Sequence, residues 1–127
     1  MEYNKAIRDK IPEIIAKSGH SCNFRVLSNN DFLVALEKKL NEEMMEFQGT
    51  HNPEELVDVL EVVYAIARLN GLSKASIEQM RMKKNQERGG FEKNLFLEKV
   101  QDSSVNNQHW ARAQERCFQG QSCNILR

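Results

Sequence analysis

Apolar residues recur at intervals of three and four through most of the first hundred positions, the spacing of helices that bury one face. From about Asp31 to Gln48 the stripe is Phe32, Leu36, Leu40 and Phe47, with Asn30 or Asp31 as the expected N-cap and Gly49-Thr50-His51-Asn52 as the closing turn. Asn52-Pro53-Glu54-Glu55 then opens a second helix with a cap residue, a proline at the first position and acids in the first turn. This helix is apolar on two sides: Val59, Val62, Ile66 and Leu69 mark one, and Leu56, Leu60, Val63 and Ala67 the other. Glu54, Glu61, Tyr64 and Arg68 form its polar strip. A helix so apolar has to be covered from two directions, in the middle of a bundle or at a subunit interface.

Asn70-Gly71 ends that helix, and Ser73 caps another that passes through Ile77 and Met80 to Arg88 before Gly89-Gly90 stops it. A shorter helix precedes the long one. It follows the basic opening Lys5 to Lys10, takes Asp9 as its N-cap, carries Pro12 in its first turn and ends at Ser18-Gly19. Residues 22–27 alternate weakly and read as a short strand or an extended arm. Phe91 to Val100 reads as a packed terminal segment, and from Gln101 the chain turns polar. The expected architecture is all-α, a bundle of about four main helices completed by oligomerisation. Residues 1–100 form the domain and 101–127 a loosely attached, partly disordered tail with a short helix near Trp110 to Phe118.

Composition narrows the function classes. Eighteen basic and eighteen acidic residues leave no net charge, so a sequence-independent grip on nucleic acid by bulk electrostatics is not expected. Cys22, Cys117 and Cys123 form no CxxC pair, and neither a disulfide framework nor a zinc ribbon is suggested. The opening residues lack the apolar run of a signal peptide, and no apolar run approaches membrane-spanning length. A reducing cytoplasm is the expectation.

The chemistry lies in the acids. Glu43 falls in the middle of the stripe of the long helix and Glu46 beside it, while Glu55 and Asp58 continue the Val59 stripe of the next helix toward its N-terminus. Glu42 is further round, on the flank, and Glu61 belongs to the polar strip. An acid on an apolar face is ordinarily a snorkelling or capping residue, and the helix dipole alone favours Glu55 in a first turn. Two inward pairs on consecutive helices are a different matter. Two unit charges 4 Å apart repel by about 4 kcal/mol at an effective dielectric of 20, so a cluster of four needs protonation or a divalent cation. Oxygen ligands with no His or Cys nearby favour Mg²⁺, or Mn²⁺, over zinc. A carboxylate di-iron site is disfavoured because no Glu-x-x-His pair occurs. Magnesium held this way keeps positions for water and substrate phosphates, which suits attack of water on phosphorus.

At these residues the sequence resembles the all-α nucleoside triphosphate pyrophosphohydrolases, the MazG-like superfamily. The family pattern of Glu-Glu-x-x-Glu followed on the next helix by Glu-x-x-Asp is matched by Glu42-Glu43-Met44-Met45-Glu46 and Glu55-Leu56-Val57-Asp58. The opening Tyr3 to Pro12 and the later Glu87 to Lys93 look like a subgroup labelled phosphoribosyl-ATP pyrophosphohydrolase-like. The resemblance implies that Glu43, Glu46, Glu55 and Asp58 ligate Mg²⁺, that Glu42 orients or deprotonates the attacking water, and that the product pair is a nucleoside monophosphate and pyrophosphate. The apolar circumference of the helix opened by Pro53 leads to the expectation of a homodimer or homotetramer. One departure is the gap of eight residues between Glu46 and Glu55, shorter than is usual in the superfamily. Lys5, Arg8 and Lys10, with Lys83, Lys84 and Arg88, are the candidate phosphate-binding cations; the alternative for each is a solvated helix face. The expected activity is house-cleaning of non-canonical nucleotides. The alternatives are the phosphoribosyl-ATP step of histidine synthesis and a helical interaction module without turnover.

Overall fold

The structure, a computed structural model, describes residues 3–101. Among them the protein is all-α, a helical bundle of four helices with no strand: α1 (Ile11–Lys17), α2 (Asn29–Thr50), α3 (Pro53–Leu69) and α4 (Lys74–Arg88). No helix among the described residues is long and apolar enough to cross a membrane. The chain divides into two units, Met1–Gly89 and Gly90–Arg127, and all four helices lie in the first.

The helix boundaries follow from capping chemistry. Pro12 sits in the first turn of α1, as its missing N–H requires, but Asp9 is not the cap. Lys10 holds that position in a helical conformation with no side-chain cap bond. For α2 the cap is Ser28, not Asn30 or Asp31. Its backbone is extended and its Oγ accepts from the Asp31 N–H at 3.2 Å, which satisfies a donor the helix cannot. The helix also runs two residues past Gln48, to Thr50. Asn52 and Ser73 cap α3 and α4 as expected, through bonds from the Glu54 and Ser76 N–H groups. Asn70 and Gly89 are the respective C-caps.

The two apolar stripes meet between α2 and α3, which are the principal packed pair; α4 rests more lightly on α3. Leu36 of α2 and Val62 of α3 are buried at the centre, with Phe32, Leu40, Ile66 and Leu69 packed around them. The third central residue is Ala6, from the irregular segment before α1. Insertion of that alanine brings the basic opening of the chain against the hairpin.

This core is small. The buried hydrophobic residues are Ala6, Leu36, Val62 and Ala67, and none of the described large side chains is fully enclosed. On the second side of α3, Ala67 is buried and Val63 half-buried, but the N-terminal half remains open, with Leu56 at 47% and Leu60 at 49% exposure and Val57 beside them. The expected cover from two directions is thus present over the C-terminal half of α3 and lacking at Leu56 and Leu60. Residues 22–27 form neither helix nor strand, and Phe24 and Val26 are exposed. Within the second unit, Gly90–Gln101 makes a turn after Phe91 and no regular structure beyond it. Phe91, Leu95, Phe96 and Leu97 of the expected terminal segment are exposed. The expected tail and its helix near Trp110 to Phe118 fall on residues 102–127, outside the described residues.

Truncation of Leu36 to alanine is expected to cost about 3 kcal/mol in urea denaturation, against less than about 1 kcal/mol for exposed Val34→Ala. Ser28→Ala should cost about 1 kcal/mol, and Asn30→Ala close to nothing.

Candidate metal centre

Only His51 and Asn52 separate α2 from α3. His51 adopts the left-handed conformation, φ 54° and ψ 24°, and donates its N–H to the Phe47 carbonyl at 2.7 Å, while Asn52 turns the chain into α3 as its cap. So tight a hairpin sets the last turns of α2 beside the first turns of α3. Glu43 follows Leu36 and Leu40 along the buried stripe, and Asp58 and Glu55 precede Val62 by one and two turns.

The three carboxylates converge. Glu43, Glu55 and Asp58 each offer an oxygen, and the three oxygens lie within 4.8 Å of one another. Glu43 is the buried member, its side chain 6% exposed; Glu55 and Asp58 are half-buried. Glu46, expected with them, stands one step outward on the exposed flank of α2, close enough to act on Glu55 electrostatically but outside the three-acid cluster. Glu42 is on the flank, half-buried.

Side-chain cations of the same chain surround these acids. Lys39, one turn before Glu43 on α2, places its Nζ 2.8 Å from Glu43 Oε1 and 3.3 Å from Glu42 Oε1. Lys5 reaches the same Glu42 oxygen at 3.0 Å, and Arg8 Nη2 lies 2.6 Å from Asp58 Oδ1. One atom is left over: Glu43 Oε2 is buried and has no hydrogen-bond partner. A buried carboxylate oxygen without a donor is costly, and it is the kind of atom a cation would satisfy.

The titration behaviour follows from these contacts. The Lys5 hydrogen bond, helped by Lys39, holds the Glu42 carboxyl below its ordinary range. Burial alone would pull the Lys39 ammonium down, but its bonds to Glu43 and Glu42 outweigh that and leave it above the ordinary lysine value. Glu55 moves the other way: desolvation raises it first, and repulsion from Glu46, Asp58 and Glu43 raises it further.

A groove of about 870 Å³ opens beside the cluster, and Glu43, Asp58 and Lys39 lie in its wall. Arg8 and Lys10 also line it. Glu61, assigned to a polar strip, stays outside the three-acid cluster but faces this groove together with Tyr64 and Arg68 of the same strip. Lys83, Lys84 and Arg88 are exposed on α4, away from the groove lining. Two contributors were not anticipated. Lys39 carries a usable signal, since it stands at i−4 to Glu43 and i−3 to Glu42. Ala6 carries none.

No family model matches the sequence, and no solved structure matches the chain. An uncharacterized protein of Mycolicibacterium smegmatis is 43% identical over 43 residues, a stretch covering 34% of this chain and 44% of that protein.

The shift of Glu55 carries a sign. Its folded carboxyl is raised above the ordinary 4.5, so its favourable contribution is present below that value and is lost as pH rises through the folded pKa. Glu55→Gln should therefore raise the melting temperature at pH 7 in chelator, with the gain vanishing below about pH 4. Glu42, shifted down, gives the opposite result: Glu42→Gln lowers the melting temperature at pH 7, and the loss disappears as acid titrates the wild-type carboxylate.

Proposed function

We propose that this protein is a Mg²⁺-dependent nucleoside triphosphate pyrophosphohydrolase of the MazG-like superfamily, cleaving between the α and β phosphates to give a nucleoside monophosphate and pyrophosphate. The observation that carries the proposal is the unpartnered, buried Oε2 of Glu43 in one cluster with Glu55 and Asp58. The donor set is all carboxylate oxygen, which fits Mg²⁺ or Mn²⁺ and not a thiophilic metal. Glu43, Glu55 and Asp58 would hold the ion, with Glu46 closing the set from the flank. Bound there, the ion supplies positive charge against the phosphate oxygens and polarises water.

The remaining roles belong to the chain itself. Glu42, kept ionised by Lys5 and Lys39, accepts a hydrogen bond from the attacking water and orients it. A carboxylate held below its ordinary range is a weak base, so orientation suits it better than proton abstraction. Lys5 and Arg8 sit in partly exposed ion pairs, worth little in themselves, and they can exchange a carboxylate for a phosphate at small cost. Arg8 is the better phosphate clamp of the two, because a guanidinium binds two oxygens at once. Lys10 extends this positive rim along the groove. Lys83, Lys84 and Arg88, exposed on α4, are the further phosphate candidates. The substrate is a non-canonical nucleotide in a house-cleaning role.

A second copy of the chain completes the fold in this reading. The exposed Leu56, Val57 and Leu60 on α3 form an apolar face, and a core as small as this one gains most from covering it. The assembly is a homodimer, or a homotetramer built from it.

Pyrophosphate release from a panel of triphosphates, phosphoribosyl-ATP included, tests the activity. Turnover is expected only with Mg²⁺ or Mn²⁺, and Glu46→Gln or Asp58→Asn should lower kcat/KM by at least on the order of 100-fold while leaving the fold intact. Preference for phosphoribosyl-ATP assigns the histidine pathway instead, and no turnover on any substrate by folded protein leaves the helical interaction module. Leu60→Glu should convert the assembly to a monomer in size-exclusion chromatography with light scattering, while Glu54→Gln on the polar strip leaves it unchanged.

A further inference from the structure

We infer that Lys39 is the resident counter-cation of the acid cluster, a positioning residue that binds one oxygen of Glu43 and leaves the other for the metal. The inference rests on reading the cluster as a metal site. Lys39 differs from the other two cations in its surroundings. In the pairs Lys5–Glu42 and Arg8–Asp58 the side chains keep 37% and 31%, and 53% and 38%, of their exposure, whereas Lys39 is 18% exposed and meets a carboxylate that is 6% exposed. An exposed pair is replaced by water at little cost; a buried carboxylate that loses its counter-ion is not.

Lys39 also shares α2 with Glu43, one turn away, so the pair forms as soon as the helix does and needs no contribution from the chain's opening segment. The two oxygens of Glu43 are thereby divided. Oε1 is taken by the ammonium and Oε2 has no partner, so both cations can be held together with Glu43 as a one-oxygen ligand. Bidentate chelation by Glu43 would require Lys39 to withdraw. The consequence is that the protein folds with its site empty: Lys39 supplies the charge a metal would otherwise have to supply, and metal binding adds less stability than it would to a site of bare carboxylates.

The test compares full-length wild type, Lys39→Met, Lys39→Arg and the double variant Lys39→Met with Glu43→Gln, by thermal melting in EDTA and again in saturating MnCl₂. In EDTA, Lys39→Met should melt roughly 5 °C or more below wild type, Lys39→Arg close to it, and the double variant should recover most of the loss because no buried charge remains. In Mn²⁺ the rise in melting temperature of Lys39→Met should be at least about twice that of wild type, because the ion then carries the whole neutralisation. Side-chain packing alone predicts no such amplification. Should Lys39→Met fail to fold in EDTA, folding of the double variant supports the inference, and failure of both overturns it. Melting of Lys39→Met at the wild-type temperature in EDTA, or a loss the Gln does not repair, also overturns it. Absence of any Mn²⁺ response in wild type refutes the metal reading, and with it the metal half of this inference, while the EDTA comparison still decides whether Lys39 is the counter-charge.

Discussion

A carboxylate that is almost wholly enclosed, with one oxygen on an ammonium and the other on nothing, is an arrangement that a fold tolerates only when the surroundings impose it. Here they do. Glu43 cannot leave the α2–α3 interface without taking Leu36 and Leu40 with it, because the three lie on one stripe of a continuous helix. The hairpin at His51–Asn52 then dictates that the first turns of α3 face it, and those turns carry Glu55 and Asp58. The acid cluster is a consequence of helix register, and the cations around it follow from the charge that register concentrates.

Much of the rest serves that cluster. Ala6 has a side chain small enough to enter between α2 and α3, and by entering it brings Lys5 and Arg8 against acids 37 and 50 residues away in sequence. Glu42 gains two donors and is held ionised; Asp58 gains one. Glu55, desolvated and repelled by Glu46, Asp58 and Glu43, is driven upward. Glu42 on the flank and Glu55 in the cluster are thus pushed in opposite directions by their different partners, which is a separation of roles that acid and metal chemistry can use.

What the sequence revealed depended on whether a signal was local. The burial of Glu43 was legible because Leu36, Leu40 and Phe47 bracket it at helical spacing, and Asn52 and Ser73 were legible as caps because each directly precedes a clear apolar period. Ser28 was obscured by Asn29, Asn30 and Asp31, three further residues of cap-forming type, and only extended backbone at Ser28 separates it from them. Lys39 is legible through the i, i+4 rule, since it stands one turn before Glu43 on the same helix. Ala6 and its two basic neighbours had no periodicity to betray them, since their segment is irregular and their partners are distant. Nor does spacing reveal that the polar strip of α3 faces a groove: Glu61, Tyr64 and Arg68 look the same to a helical wheel whether they meet open solvent or a cavity.

The central claim is that Glu43 Oε2 is a metal ligand. It is tested most directly by titrating Mn²⁺ into the protein and following the free ion by electron paramagnetic resonance, for wild type and for Glu43→Gln. The account predicts saturable binding to wild type, competed by Mg²⁺, and its loss in the Gln variant, whose neutral amide cannot replace the carboxylate. Equal binding by the two proteins would contradict the claim, as would no saturable binding by folded wild type.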